Sequence, residues 1–394
     1  MNRRDFMRNT MAAGAGFGLL GHAAQGAPSA QSDTQVPRRT LGKTGESVPV
    51  IMMGTNQALD PKYDKRLHRA YQLGVDYIDT AEMYAGGQSH GQIAPFIKQV
   101  GDRKKLWITS KAHISLADDA AKGFEQALDK ALADLETDYL DLFLMHMAHD
   151  ESFLDKRFLD MGEALKKSGK IRYFGFSAHD GSVPRMLEKA AALGEGIDAV
   201  LFRYNFRMYG DVAFNKALDA AHKAGIGLIA MKTLAAIPKD AEEIVPWTSK
   251  DFTLTQAKLK AVLADERIAG VASQMSNVEQ VMENTGAVLS NQELAMNDYM
   301  QLHRLAGLTA CEYCTGCGRC EGMVDGPVRI ADTLRYLMYH DCYGKQKEAR
   351  ALYHNLNAAE RDFARADLHA AKAACPQGID IPAKLAQAQR VLSA

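Results

Sequence analysis

The first 310 residues of this 394-residue chain contain no cysteine. A disulfide framework is therefore excluded for the main body, which must be held together by packing. Charge of one sign is missing too, since 47 basic residues face 48 acidic ones. A chain so balanced presents no broad cationic face to nucleic acid or to an anionic membrane. Long apolar runs are scarce. Beyond an uncharged Ala/Gly-rich stretch from Met11 to about Ala24, no second apolar span stands out. What remains is a globular composition, long enough for a large domain plus a small one.

All six cysteines lie after residue 310, and their spacing reads as metal ligation. The run from Cys311 to Cys320 is C-E-Y-C-T-G-C-G-R-C, and a later piece from Cys375 to Pro382 is C-P-Q-G-I-D-I-P. Bacterial-type ferredoxins hold a 4Fe-4S cluster with C-x2-C-x2-C, then three residues and a Cys-Pro that ligates the other cluster. Here Val324 and Asp325 stand where that Cys-Pro belongs, yet Val328, Ile330 and Leu334 match Ile379, Ile381 and Leu385 of the second half. The second half keeps Cys375-Pro376 and has Arg365, Leu368 and Ala371 in place of its triplet. The pattern resembles a duplicated two-cluster ferredoxin reduced to one cluster, held by Cys314, Cys317, Cys320 and Cys375. Thiolates are soft donors that suit iron, and four complete the shell. Two alternatives stay open: a zinc site, which C-x2-C pairs also form, and Cys311 in place of Cys320.

The amino terminus opens Arg3-Arg4-Asp5-Phe6-Met7, ahead of the short apolar stretch and a polar segment from Ser32 to Val36. A basic start, a brief apolar run and a small-residue exit describe an export signal, too short to be a stable span. The paired arginines resemble the twin-arginine class, although a tail with two chance arginines is the plainer alternative. A cluster assembled in the cytoplasm fits export in the folded state. The expectation is a signal over residues 1–30 and a periplasmic product with no membrane span in the mature chain.

From about Arg38 to Leu289, short apolar runs alternate with amphipathic stretches. Strands are expected at Val50–Gly54, Val75–Asp79, Leu106–Ser110, Leu140–Met145, Tyr173–Phe176, Ala199–Arg203, Gly227–Met231 and Ala269–Ser273, with helical periodicity between them. Eight strands, each followed by a helix, fit a (β/α)8 barrel better than an open sheet. The expected order is a barrel over 31–290 and a helical ferredoxin-like iron–sulfur domain over 291–394. In such barrels chemistry sits where strands end.

At those ends stand Asp79, Tyr84, Lys111 and His146. Each alone has a dull reading: Asp79 could cap a helix, and His146 could be a satisfied core residue. Together they can converge on one point. A neighbouring Lys⁺ should draw the Tyr pKa down from about 10. The Tyr could then hand a proton to a carbonyl oxygen as its carbon receives hydride, while the His donates a second hydrogen bond.

These segments resemble the aldo-keto reductase superfamily. The matching pieces are Arg39–Gly45, Gly54–Asn56, Asp76–Tyr84 (D-Y-I-D-T-A-E-M-Y), Ile108–Lys111, Asp138–His146 (D-Y-L-D-L-F-L-M-H), Gly169–Ser177 (G-K-I-R-Y-F-G-F-S) and Glu283-Asn284. The resemblance implies a (β/α)8 barrel that reduces aldehydes or ketones with NADP or NAD, and a catalytic tetrad of Asp79, Tyr84, Lys111 and His146. It also implies cofactor contacts from Gly54, Thr55, Asn56, Ser177, Ser273, Gln274, Glu283 and Asn284. His179 stands where the family has Asn, Met231 where it has an aromatic, with Lys232 next, and Leu201 or a neighbour where it has Gln. No Arg or Lys near Ser273–Asn277 pairs with a 2′-phosphate. A branch with a C-terminal ferredoxin-like extension carries a similar cysteine pattern. Two functions follow as expectations: a carbonyl reductase with a small-molecule substrate and a redox partner, or a non-catalytic or electron-transfer iron–sulfur protein on a reductase-like barrel.

Overall fold

The computed structural model describes residues 35–114, 116 and 120–394, so the expected export signal lies outside the described residues. The described chain opens with an antiparallel hairpin, β1 (Arg38–Thr40) and β2 (Ser47–Pro49). Its turn requires glycine: Gly42 has φ +51°, and a Cβ there would lie 2.3 Å from the Gly225 carbonyl oxygen. Arg39 of this hairpin donates to the carbonyls of Leu263 and Ile268 at 2.7 and 2.8 Å.

Eight parallel strands then close on themselves: β3 (Ile51–Gly54), β4 (Tyr77–Asp79), β5 (Trp107–Ala112), β6 (Leu140–Met145), β7 (Ile171–Ala178), β8 (Ala199–Arg203), β9 (Gly227–Met231) and β10 (Gly270–Gln274), with β10 paired to β3. This is the expected barrel. Every residue of β5, β6, β8 and β9 is buried, because interior side chains cover one face and helices the other. Strand β7 runs longer than its apolar run suggests, because pairing with β8 continues to Ala178 opposite Phe202. One cluster fills the interior from Leu41 and Val48 of the hairpin region to Met231 at the other end. Within it the Trp107 ring stacks between Tyr77 and Tyr173, at 5.6 and 5.7 Å between centroids. The hairpin therefore plugs one end of the barrel, and the strands deliver their carboxyl ends to the other.

Helix Met296–Leu308 packs Tyr299, Leu302 and Leu305 into the main core outside the strands. Four further helices, Ile330–Cys342, Gln346–Asn355, Leu368–Ala373 and Ile381–Leu392, build a small module with two cores of its own. One core joins Val328, Ile330 and Leu334 to Ile379, Ile381 and Leu385, with Cys314, Cys320 and Cys375 at its edge. The two similar half-motifs thus pack on each other. The other core takes Met83 and Met147 from the barrel loops, which sets the module on the barrel mouth.

One approach there is backbone on backbone. A Cβ on Gly181 would fall 2.0 Å from the carbonyl oxygen of Gly316, inside the cysteine loop. Nothing at that point can give except the loop itself. Gly181→Ala should lower stability by about 1–3 kcal/mol, as overpacked contacts do, and should expose the module to protease before the barrel. Unchanged melting and cleavage would show that the loop adapts freely.

Candidate active site

Strand order places Asp79 on β4 beside β5, which carries Lys111 two residues beyond Thr109, the partner of Asp79. Side chains two apart share a face, so Lys111 turns back over Asp79. Its Nζ lies 2.7 Å from Asp79 Oδ1, 2.7 Å from the Thr80 carbonyl and 3.4 Å from the Tyr84 hydroxyl. Lys111 is only 1% exposed, so its charge is tolerated because a carboxylate faces it. Tyr84 follows β4 at the entry to a tight turn in which Ala85 and Gly86 have φ of +52° and +67°. His146, just past β6, sits with its ring 6.0 Å from that of Tyr84.

The electrostatics differ from expectation at Tyr84. Burial, followed by the carboxylates of Asp79 and Glu348, holds its hydroxyl well above the usual phenol range. Lys111 does not draw it toward phenolate, because Asp79 already engages the ammonium. Tyr84 therefore keeps its proton at neutral pH, which is the form able to give one. Burial, with the field of Lys111 behind it, pushes His146 well below the ordinary imidazole range. His179 is held neutral in the same way, by burial and then by Arg335 and Lys232. Both imidazoles have a buried Nδ1 with no partner among the described residues.

Asp79 and Tyr84 stand at one end of a groove of about 340 Å³. Gly54, Asn56, His179, Met231, Lys232, Ser273, Gln274, Glu283 and Asn284 line it as well. Thr55 and Ser177 do not: both are fully buried behind it. The Thr55 hydroxyl donates to the Asp79 carbonyl at 3.0 Å, and the Ser177 hydroxyl accepts from the Met147 amide at 3.0 Å. At the far end Asn284 donates to Ser273 Oγ at 3.0 Å, and Thr253 donates to Glu283 at 2.8 Å. Arg66, distant in sequence, reaches this loop after all and donates to the Ser276 carbonyl at 3.2 Å, with its guanidinium tied to Asp64 at 2.5 Å. Sequence reasoning also missed Thr233, Leu234, Thr255 and Gln280, and missed Cys342, Tyr343 and Lys345 of the C-terminal segment. No motif marks those last three; only the docking of the module brings them in.

The pattern defining the Aldo/keto reductase family matches residues 51–239. Over that span the barrel is similar to the Aldo/keto reductase family. The enzyme is an oxidoreductase. It is 26% identical over 285 residues to the uncharacterized oxidoreductase YqkF of Bacillus subtilis, covering 64% of this chain and 90% of that one. A thermostable aldo-keto reductase solved with the inhibitor epalrestat superposes with a TM-score of 0.54 at 27% identity, over 68% of this chain and 99% of its own. An aldo-keto reductase from Klebsiella pneumoniae solved with NADPH gives 0.55 at 22% identity, over 69% and 96%.

A second constellation lies against the barrel. Cys314, Cys317, Cys320 and Cys375 line one small hollow with Leu334, Pro376, Ile379 and Ile381. Gly316 and Gly318, at φ +65° and +72°, let the loop wrap around it, and the Gly316 amide points at Cys314 Sγ from 3.3 Å. Burial pushes the Cys314 thiol up to about 11 and Cys320 to about 12, with their neighbouring thiols adding to it. Cys311 is exposed and lies outside the hollow. Among the described residues, no three His, Cys, Asp or Glu side chains are gathered closely enough to hold a single metal ion. From β8, Arg203 reaches this loop and donates to the Cys314 carbonyl at 3.2 Å.

The neutral histidines set a pH dependence. A folded-state pKa depressed below the unfolded value of about 6.5 gives stability that is full above that pH and lost as pH falls. Melting temperature should therefore drop between about pH 7.5 and 5.5, and His146→Asn should make the drop shallower. Identical slopes in both proteins would mean that His146 takes up its proton without penalty in the fold.

Proposed function

We propose that this enzyme reduces the carbonyl of a small aldehyde or ketone with NADH or NADPH, and that its module carries one 4Fe-4S cluster. The observation that carries the first part is the contact of Asp79, Lys111 and Tyr84 at a groove that Ser273, Gln274, Glu283 and Asn284 also line. A nicotinamide held there would supply hydride to the carbonyl carbon. Met231 and His179 line the catalytic end, where they would meet its ring, and Ser273, Gln274, Glu283 and Asn284 line the other. Tyr84 gives its phenolic proton to the carbonyl oxygen as negative charge develops there. Lys111 then faces the phenolate left behind, and Asp79 keeps the ammonium in place. Neutral His146 is available to hydrogen-bond the same oxygen, which fixes the carbonyl between two donors.

Tyr84→Phe should lower turnover by roughly 10²–10⁴-fold, the worth of a placed acid. Lys111→Met should lower it too, and the double variant should be scarcely worse than Tyr84→Phe, because the two residues work as one unit. No oxidation of either nicotinamide across a broad panel of aldehydes, ketones and quinones would overturn the reading. An electron-transfer protein on a reductase-like barrel would then lead.

The cluster is supported by the donor set: Cys314, Cys317, Cys320 and Cys375 line one small hollow, and thiols are the soft donors that suit iron. Protein purified anaerobically should contain about four irons and four sulfides per chain, and Cys375→Ser should lose them. Zinc in their place, or a full cluster in that variant, would sink the assignment.

A further inference from the structure

The module supplies something to the groove that the barrel lacks. Lys345, at the start of helix Gln346–Asn355, lines the groove although it lies far beyond the last barrel strand. Its Nζ is 3.2 Å from the Asn56 carbonyl and 3.3 Å from Glu348, whose carboxylate receives the Asn56 side-chain amide at 3.3 Å. Asn56 is therefore gripped by the module at both backbone and side chain. Its neighbour Gln57 donates to the Met275 carbonyl at 2.7 Å and accepts from Ser276 at 3.1 Å. This chain of contacts crosses from the catalytic end of the groove to the far end.

Lys232, just past β9, also lines the groove. Its backbone is held at φ +57°, a conformation unusual for a long side chain. The ammonium sits 4.4 and 5.1 Å from the ring centres of Tyr339 and Tyr343, and no carboxylate pairs with it among the described residues. Burial lowers the Lys345 pKa, Glu348 opposes that, and the charge of Lys232 adds to it. Lys232 and Lys345 thus bring two ammonium groups to one groove, and only Lys345 has a carboxylate partner among the described residues, which leaves room for an anionic ligand.

We propose that Lys345 of the module and Lys232 of the barrel hold the pyrophosphate of the dinucleotide between them, so that the module straps the cofactor into its groove. The proposal rests on the nicotinamide reading above. A dinucleotide reaching from Tyr84 to Asn284 must lay its doubly negative centre along the stretch that Asn56 and Gln57 cross. Two cations match that charge, and one of them arrives only when the module is docked. Release of the cofactor then requires the module to lift.

The test uses the full chain with its metal centre intact, and four probes: NADH, NADPH, ADP-ribose and inorganic pyrophosphate. Lys345→Met should weaken NADH, NADPH and ADP-ribose alike by about 10–100-fold, the worth of one charged hydrogen bond, and should speed cofactor release. Lys345→Arg should keep most of the affinity, which separates charge from folding. Glu348→Gln, which frees Lys345 from its carboxylate, should tighten all three. Unchanged affinity in Lys345→Met overturns the proposal, and so does a loss confined to NADPH, which would move Lys345 to a 2′-phosphate. If the wild-type chain binds pyrophosphate through Lys345 but neither nicotinamide, the anion site stands and the nicotinamide reading falls. If it binds none of the four probes, both fall.

Discussion

The active end of this barrel depends on one buried ion pair. Lys111 is almost fully enclosed, and an ammonium in such a place is tolerable only with a carboxylate in contact, which Asp79 provides at 2.7 Å. Removing one member of such a pair typically costs about 3–5 kcal/mol, because the survivor is left buried and alone. The pair also ties the end of β4 to the end of β5, and the bond from Lys111 to the Thr80 carbonyl fixes the turn that presents Tyr84. Geometry and protonation follow from the same contact. With its charge committed to Asp79, Lys111 leaves the phenol of Tyr84 protonated.

Much of the barrel was legible in the sequence. Parallel strands buried on both faces read as short apolar runs, so all eight could be located, while the two extra residues at each end of β7 depend on pairing that no local run records. The convergence of Asp79, Tyr84, Lys111 and His146 at the strand ends was legible as well, because polar residues that follow apolar strands stand out. Their ionisation was not. The shift at Tyr84 comes from enclosure by groups far away in the chain, including Glu348 of the module. Ser177 and Thr55 were assigned to the groove by position, yet each spends its hydroxyl on the backbone behind it.

The placement of the module was the least legible feature. Its contact with the barrel at Gly181 and Gly316 is made by backbone atoms, and glycine leaves no chemical signature of what it touches. The cysteine spacing suggested metal ligation but carried no sign of where those thiols would sit. Folding puts the cysteine hollow on one side of the mouth and Lys345 over the other, so one small domain both bounds the groove and borders the thiols.

The aromatic stack that fills the plugged end of the barrel has a consequence of another kind. The chain has two tryptophans. Trp107 lies in that stack, and Trp247 donates to the Phe252 carbonyl in a loop of the barrel. Neither belongs to the module. Tryptophan emission therefore reports on the barrel and holds no probe of the module, whose melting must be followed by another signal.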